Sequence, residues 1–431
     1  MKNVLLIYDP INLVSVDLDI KTTIWKSLTD RGYHPYKMDK HLKESGPQVL
    51  PPASRMLFID NIRWVIIMLV LSMHAAVTYS NQGGWYYCEP STMSRTSLIL
   101  FILYQSFLQS FFMGLLFFLS GYFVPKAYDS KGSAKFLKDR AIRLGLPTLL
   151  YVFIIGPLTE YYVSFSWHPD PVDRSFVREY TYYLTRFRFP GGTGPLWFCA
   201  ALLIFCLIYA LYRIFSNSVR AKDLSTKFPT NTMVCYFVIL TGLATFLVRI
   251  PWPKGTSIFN MQLAYFSQYI LFFVAGILAY RGNWLVKIPK KYGVYWGLAS
   301  IVGGPILWIS ILIAGGGFHG KGDLFQGGLH WQSLGLTIWE SIVGVGMSLF
   351  LVVLFREKFN DQGRAAKFFS SNAFAVYVFH PPVLIMIARL MGNLHWPPLV
   401  KFPLLTILSI TASFLLCGLL VRSVPFLKRI M

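Results

Sequence analysis

The chain of 431 residues is 55% hydrophobic and only 14% charged, whereas a soluble domain carries about 25% charged residues, which excludes an ordinary soluble enzyme. Its apolar residues fall in blocks of roughly 20 between short charged or Pro/Gly-rich segments, as a hydrocarbon core about 30 Å thick demands. The formal charge of +21 suggests a nucleic-acid partner until the 40 Lys and Arg are placed: 9 lie in the segment through Arg63, 21 on one set of loops plus the C-terminal segment, and 10 on the other set. That bias is the positive-inside pattern. The charge therefore reports orientation, both termini are expected in the cytoplasm, and no nucleic acid is expected.

In chain order, residues 1–55 read as a short strand (Val4–Tyr8) and an amphipathic helix from Asp19 to Arg31 with Gly32 as its stop. This small cytosolic extension is either an appendage of α/β character or an upstream start, the working protein beginning near Met56. The opening carries Asp9, Asp17 and Asp19 and no basic n-region, unlike a signal peptide. From Met56 onward the fold class is all-α, a polytopic membrane domain over 56–431. Its ten spans lie at about 61–80, 97–125, 144–164, 193–213, 231–250, 260–280, 292–315, 332–355, 370–391 and 401–422. The loops at 126–143, 213–230, 281–291 and 356–369 hold 18 Lys/Arg and are expected in the cytosol. Those at 81–96, 165–192, 250–259, 316–331 and 392–400 are rich in Gly, Pro, Trp and His and are expected outside.

Ionisable residues inside spans are costly unless paired or hydrated, so each is a functional candidate. Arg63 and His74 in span one are eleven residues apart. That is close to three turns, so they share a face, about 16 Å apart along the axis. Glu340 in span eight and His380 in span nine fall at depths similar to that of His74, and together the three suggest an acid/base cluster. The same residue types suit a proton or cation path, so a proton-coupled transporter is the alternative. Before span three, Lys131, Lys135, Lys138, Arg140 and Arg143 exceed what orientation needs. Lys135, Lys138 or Arg143 lie partly along one helical stripe, and the cluster suits an anionic cytosolic ligand.

Weaker features are Phe117–Phe123 (FFLSGYF, with Ser120) and Gly192–Phe198 (GTGPLWF, with Trp197), which suit helix packing and interfacial anchoring, and Glu160, a candidate rim carboxylate. His168, His319, His330 and His395 lack metal-ligand spacing, and Cys88, Cys199, Cys206, Cys235 and Cys417 form neither a disulfide framework nor a CxxC site. No metal is expected. GxSxG, P-loop and GxGxxG patterns are absent.

The ordered set of Arg63-x10-His74, FFLSGY, Arg140-x-x-Arg143, the LWF segment at Trp197 and Tyr377-x-x-His380-Pro381 resembles the acyltransferase 3 family over residues 56–422. The wording FIDNIRW, GGWYY and FFMGLLFFLSGYF is similar to its glucan-modifying, succinyl-transferring branch. The resemblance implies a membrane acyltransferase, of the kind found in a bacterial inner membrane. It would move an acetyl or succinyl group from cytosolic acyl-CoA, a donor substrate rather than a tightly bound cofactor, to a carbohydrate hydroxyl at the outer face. It implies His74 and Arg63 as the essential pair and Arg140 with Arg143 at the coenzyme A phosphates, flanked by Lys135 and Lys138. Glu340 and His380 join the catalytic set, with Tyr377, Trp197 and Ser120 as substrate or structural support. The extension before Met56 departs from the family's usual pattern, and the outer hydrolase-like domain of some members is missing.

Overall fold

The computed structural model describes residues 55–90, 93–167, 175–216 and 227–430; the strand and helix expected before residue 55 lie outside them. Nine helical segments among the described residues are long and apolar enough to cross a membrane. One of them, Arg95–Val163, runs 69 residues, which as continuous helix would be about 100 Å long, over three times the hydrocarbon thickness. It therefore holds two crossings, the second and third of the ten expected. The break falls at Gly132, whose backbone leaves the helical region at φ 73°, ψ 169°, a conformation that only glycine adopts cheaply.

Helix α1 is Leu57–Ser80 and ends where Asn81 turns left-handed (φ 55°) and returns its N–H to the Val77 carbonyl, a common helix stop. Helix α2, Arg95–Arg140, starts at Ser94, whose hydroxyl accepts from the Ser97 N–H. The third crossing carries π-helical turns at Ala141–Gly145 and Tyr151–Ile155 before α3, Gly156–Trp167. Pro157 cannot donate to the Phe153 carbonyl, and the Tyr180 hydroxyl of α4, Phe176–Thr185, donates to it instead at 3.0 Å. Next come α5, Trp197–Phe215, α6, Asn231–Arg249, and α7, Phe266–Gly282. One crossing is built from α8, Lys290–Leu298, a π turn, and α9, Gly304–Ala314. The last three are α10, Trp331–Lys358, α11, Arg364–Leu390, and α12, Pro398–Ser423.

The helices sort by what surrounds them. In α1, α2, α10 and α11 some two thirds of the apolar window is buried, against about a third in α5, α6, α7, α8–α9 and α12. The outer helices turn Leu207, Ile208, Leu240, Leu247, Ile306 and Leu419 outward, as hydrocarbon permits. α2 and α7 pack closest. A Cβ on Gly121 would fall on the Phe273 carbonyl, and one on Gly276 on the Phe118 carbonyl. The small residue of FFLSGYF is thus a helix-packing device, as expected.

The loops meet in two sets that match the sorting by charge. At one end Asp129 bridges Arg213 (2.9 Å) and Arg281 (2.8 Å). Arg356 donates to the carbonyls of Leu285, Val286 and Ile288, and the buried Asn61 donates to those of Phe359 and Asp361. At the other end Lys254 N–H bonds Gln326, Asn260 bonds the Gly194 carbonyl, and Lys401 pairs with Glu89.

Candidate active site

His74 projects from the third quarter of α1, and the chain folds back over it immediately after the helix. Loop 81–90 is pinned along its length. Gln105 accepts from the Ser80 hydroxyl and donates to the Gln82 carbonyl. Tyr86 accepts a hydrogen bond from the Tyr151 hydroxyl at 3.0 Å. The Glu89 N–H reaches the Thr78 carbonyl, and the Glu89 carboxylate grips Lys401 Nζ at 2.7 and 2.9 Å. Lys401 is only 1% exposed and donates also to the Leu394 carbonyl. Burial raises the Tyr86 hydroxyl and the Cys88 thiol above their ordinary values, so both stay protonated in this loop.

The result is a roof. The Trp85 ring lies on His74, with centroids 3.8 Å apart and planes at 13°. His380 of α11 is 5.3 Å from His74 at 18° and 6.1 Å from Trp85 at 9°. Those three separations form a triangle with nearly a right angle at His74. Trp85 therefore covers the face of His74, while His380 lies beside its edge, close to the same plane.

The orientation of His380 follows from the residue after it. Pro381 has no N–H, so the Tyr377 carbonyl, four residues back, loses its helical donor. His380 Nδ1 lies 3.0 Å from that carbonyl and must be the donor, because a carbonyl only accepts. This fixes the tautomer and leaves Nε2 with its lone pair. Tyr377 stacks at 6.3 Å on His380, and its hydroxyl donates to the Pro195 carbonyl. The HP motif is thereby tied to GTGPLWF. In that segment Gly194 has φ 49° and lies against Tyr86 and Tyr151, leaving no room for a side chain. Three ring nitrogens here, His74 Nδ1, His380 Nε2 and Trp85 Nε1, are buried without a hydrogen-bond partner among the described residues. Such atoms cost about 1–3 kcal/mol each, and here three of them meet on rings in mutual contact.

The other expected residues are distributed as follows. Glu340 is buried but makes its ion pairs with Arg249 (2.7 Å) and Lys254 (3.1 Å), using both oxygens, rather than with an imidazole. Arg249, fully buried, also donates to the Ala264 carbonyl, and both cations lie over the Tyr265 ring. Arg63 remains at the opposite end of α1 from His74, 3.2 Å from Asp60 and 4.9 Å above Phe123, the last residue of FFLSGYF. Arg140 lies over Phe136, which packs on Tyr128, over which Arg213 lies in turn. This joins it to the Asp129, Arg213 and Arg281 cluster. Lys135, Lys138 and Arg143 are exposed, and Lys131 pairs with Asp139 at 2.5 Å. The π turn beginning at Ala141 adds a residue to the turn, so Arg143 leaves the stripe expected from regular helical spacing. Trp197 stacks on Tyr269 at 5.6 Å, Ser120 is half-buried on α2, Glu160 is exposed on α3, and His168 lies outside the described residues.

Sequence reasoning missed Trp85, the Glu89–Lys401 tether, the Asp129 bridge and the Arg249–Lys254 pair around Glu340. The signals were available: an aromatic run after two glycines directly behind a span holding a histidine, and single charges at the edges of apolar runs.

The acyltransferase-domain family model matches residues 56–418. Among curated proteins, glucans biosynthesis protein C of Escherichia coli K12 is 25% identical over 349 residues, covering 78% of this chain and 83% of that protein. Its counterpart in Escherichia coli O81 (strain ED1a) is 22% identical over 351 residues with the same coverage. No solved structure matches the chain.

Proposed function

Because this chain belongs to the acyltransferase 3 family, we propose that it transfers an acetyl or succinyl group from acyl-CoA to a hydroxyl of a glucan-type carbohydrate, with His74 as the base. The observation that carries this is the stacked His74–Trp85 pair beside His380, with three ring nitrogens that have no partner among the described residues, at the end of α1 away from Arg63. Coenzyme A is polyanionic and docks at the basic end, expected in the cytosol, where Arg63, Arg140 and Arg143 supply guanidinium groups for phosphates. Its pantetheine arm is long enough to bring the thioester toward His74. A neutral imidazole there takes the proton of an acceptor hydroxyl as it attacks. His380, with Nδ1–H committed to Tyr377, keeps an acceptor nitrogen near His74. Glu340 holds Lys254 and the outer loop 250–259 in place. The similarity to glucans biosynthesis protein C supports a glucan as the acceptor class.

The test uses purified protein with labelled acetyl-CoA or succinyl-CoA and glucan oligosaccharides. Wild type should release free thiol and label the glycan, H74A should lose at least about 10²-fold in rate, and R140A should need more acyl-CoA to saturate. Equal rates in wild type and H74A, or no transfer from either donor, would overturn the proposal.

A further inference from the structure

Trp85 does more than shield His74. A phenylalanine would cover an imidazole face equally well, without burying an N–H that finds no acceptor. The indole Nε1 is such an N–H, buried without a partner among the described residues, on a ring stacked 3.8 Å from the proposed base. Its loop is held by Gln105 at Gln82, by Tyr151 at Tyr86 and by Lys401 at Glu89, so the donor is fixed before any substrate arrives. A hydrogen-bond donor fixed beside a base, with its bonding capacity unspent, is the arrangement that stabilises developing negative charge on oxygen. Such a donor acts from about 2.7–3.1 Å to the position that the acyl oxygen takes in the transition state. The indole that carries this N–H lies directly on the face of His74.

We infer that the Trp85 indole N–H is a catalytic hydrogen-bond donor to the acyl oxygen in the transition state. The step, which rests on the proposed function, runs as follows. His74 takes the acceptor's proton as its oxygen bonds to the thioester carbon, and the carbonyl π pair moves onto the acyl oxygen, which accepts from Trp85 Nε1–H. The pair then returns, the carbon–sulfur bond breaks, and the leaving thiolate takes the proton from His74, giving ester and free thiol.

The deciding variant is W85F, which keeps an aromatic cover and removes the donor. With acyl-CoA and a glucan acceptor, its kcat should fall about 10²–10³-fold, while KM for acyl-CoA stays within about twofold and the melting temperature is unchanged. W85A should lose more, because the face of His74 is then uncovered. If W85F does not fold, 3-benzothienylalanine at position 85 by amber suppression keeps the shape of the indole, has no N–H, and should give the same fall in kcat. A kcat within about threefold of wild type, or a loss carried by KM alone, overturns this inference and leaves the proposed function standing. Wild-type protein that turns over no acyl-CoA overturns both.

Discussion

The tether between loop 81–90 and α12 gives a prediction whose size follows from burial. Lys401→Met removes a 1% exposed ammonium and strands the Glu89 carboxylate, which is 14% exposed and bound to it through both oxygens. Breaking a buried ion pair from one side costs about 3–5 kcal/mol. Because Glu89 sits on a loop that turns toward water when released, the lower end applies. About 3 kcal/mol is a population shift of roughly 10²-fold, and it falls on the loop rather than on the helical core. Hydrogen–deuterium exchange of peptides covering residues 81–90 should therefore accelerate by up to about 10²-fold in K401M, while the middle of α2 keeps its protection. Replacing both partners leaves no stranded charge, so E89Q/K401M should recover most of the loss. Unchanged loop exchange in K401M, or a double variant as exposed as the single, would refute the tether.

Three further outcomes follow from the geometry. Pro381→Ala supplies an N–H that competes with His380 for the Tyr377 carbonyl; acyl transfer should fall at least about tenfold while helix stability holds or rises, and equal activity in P381A would show that the tautomer does not matter. Gly121→Val drives a side chain into the Phe273 carbonyl, and the α2–α7 seam should open, lowering the melting temperature well beyond the effect of a surface substitution; a melting point within a degree of wild type would contradict that packing. Glu340→Gln leaves the fully buried Arg249 without its counter-ion, at a cost of about 3–5 kcal/mol, which E340Q/R249M should largely restore in a denaturation assay.

Crossing number and loop sorting were legible because hydrocarbon thickness and charge bias act on stretches of sequence, not on single contacts. The nearness of His74 and His380 was legible too, because both lie at similar depth. The same depth reasoning misled for Glu340, since height along the membrane normal says nothing about angular position around the bundle. There the carboxylate meets Arg249 and Lys254 instead. The π turn after Arg140 was equally hidden, because its one-residue excess leaves the hydropathy unchanged while moving Arg143 off the stripe. Trp85 lay in a loop, where no periodicity constrains position; its anchors come from distant elements, one of them Lys401, 312 residues from the Glu89 that it grips.

That long separation has a consequence for biogenesis. His74 and its roof are synthesised early, whereas the cation that fastens the roof comes only with the last crossing. A ribosome-bound chain halted before α12 carries His74 and Trp85 without the cation that pins the Glu89 end of their loop. The last of the anchors of loop 81–90 thus forms only once the final helix has entered the bilayer.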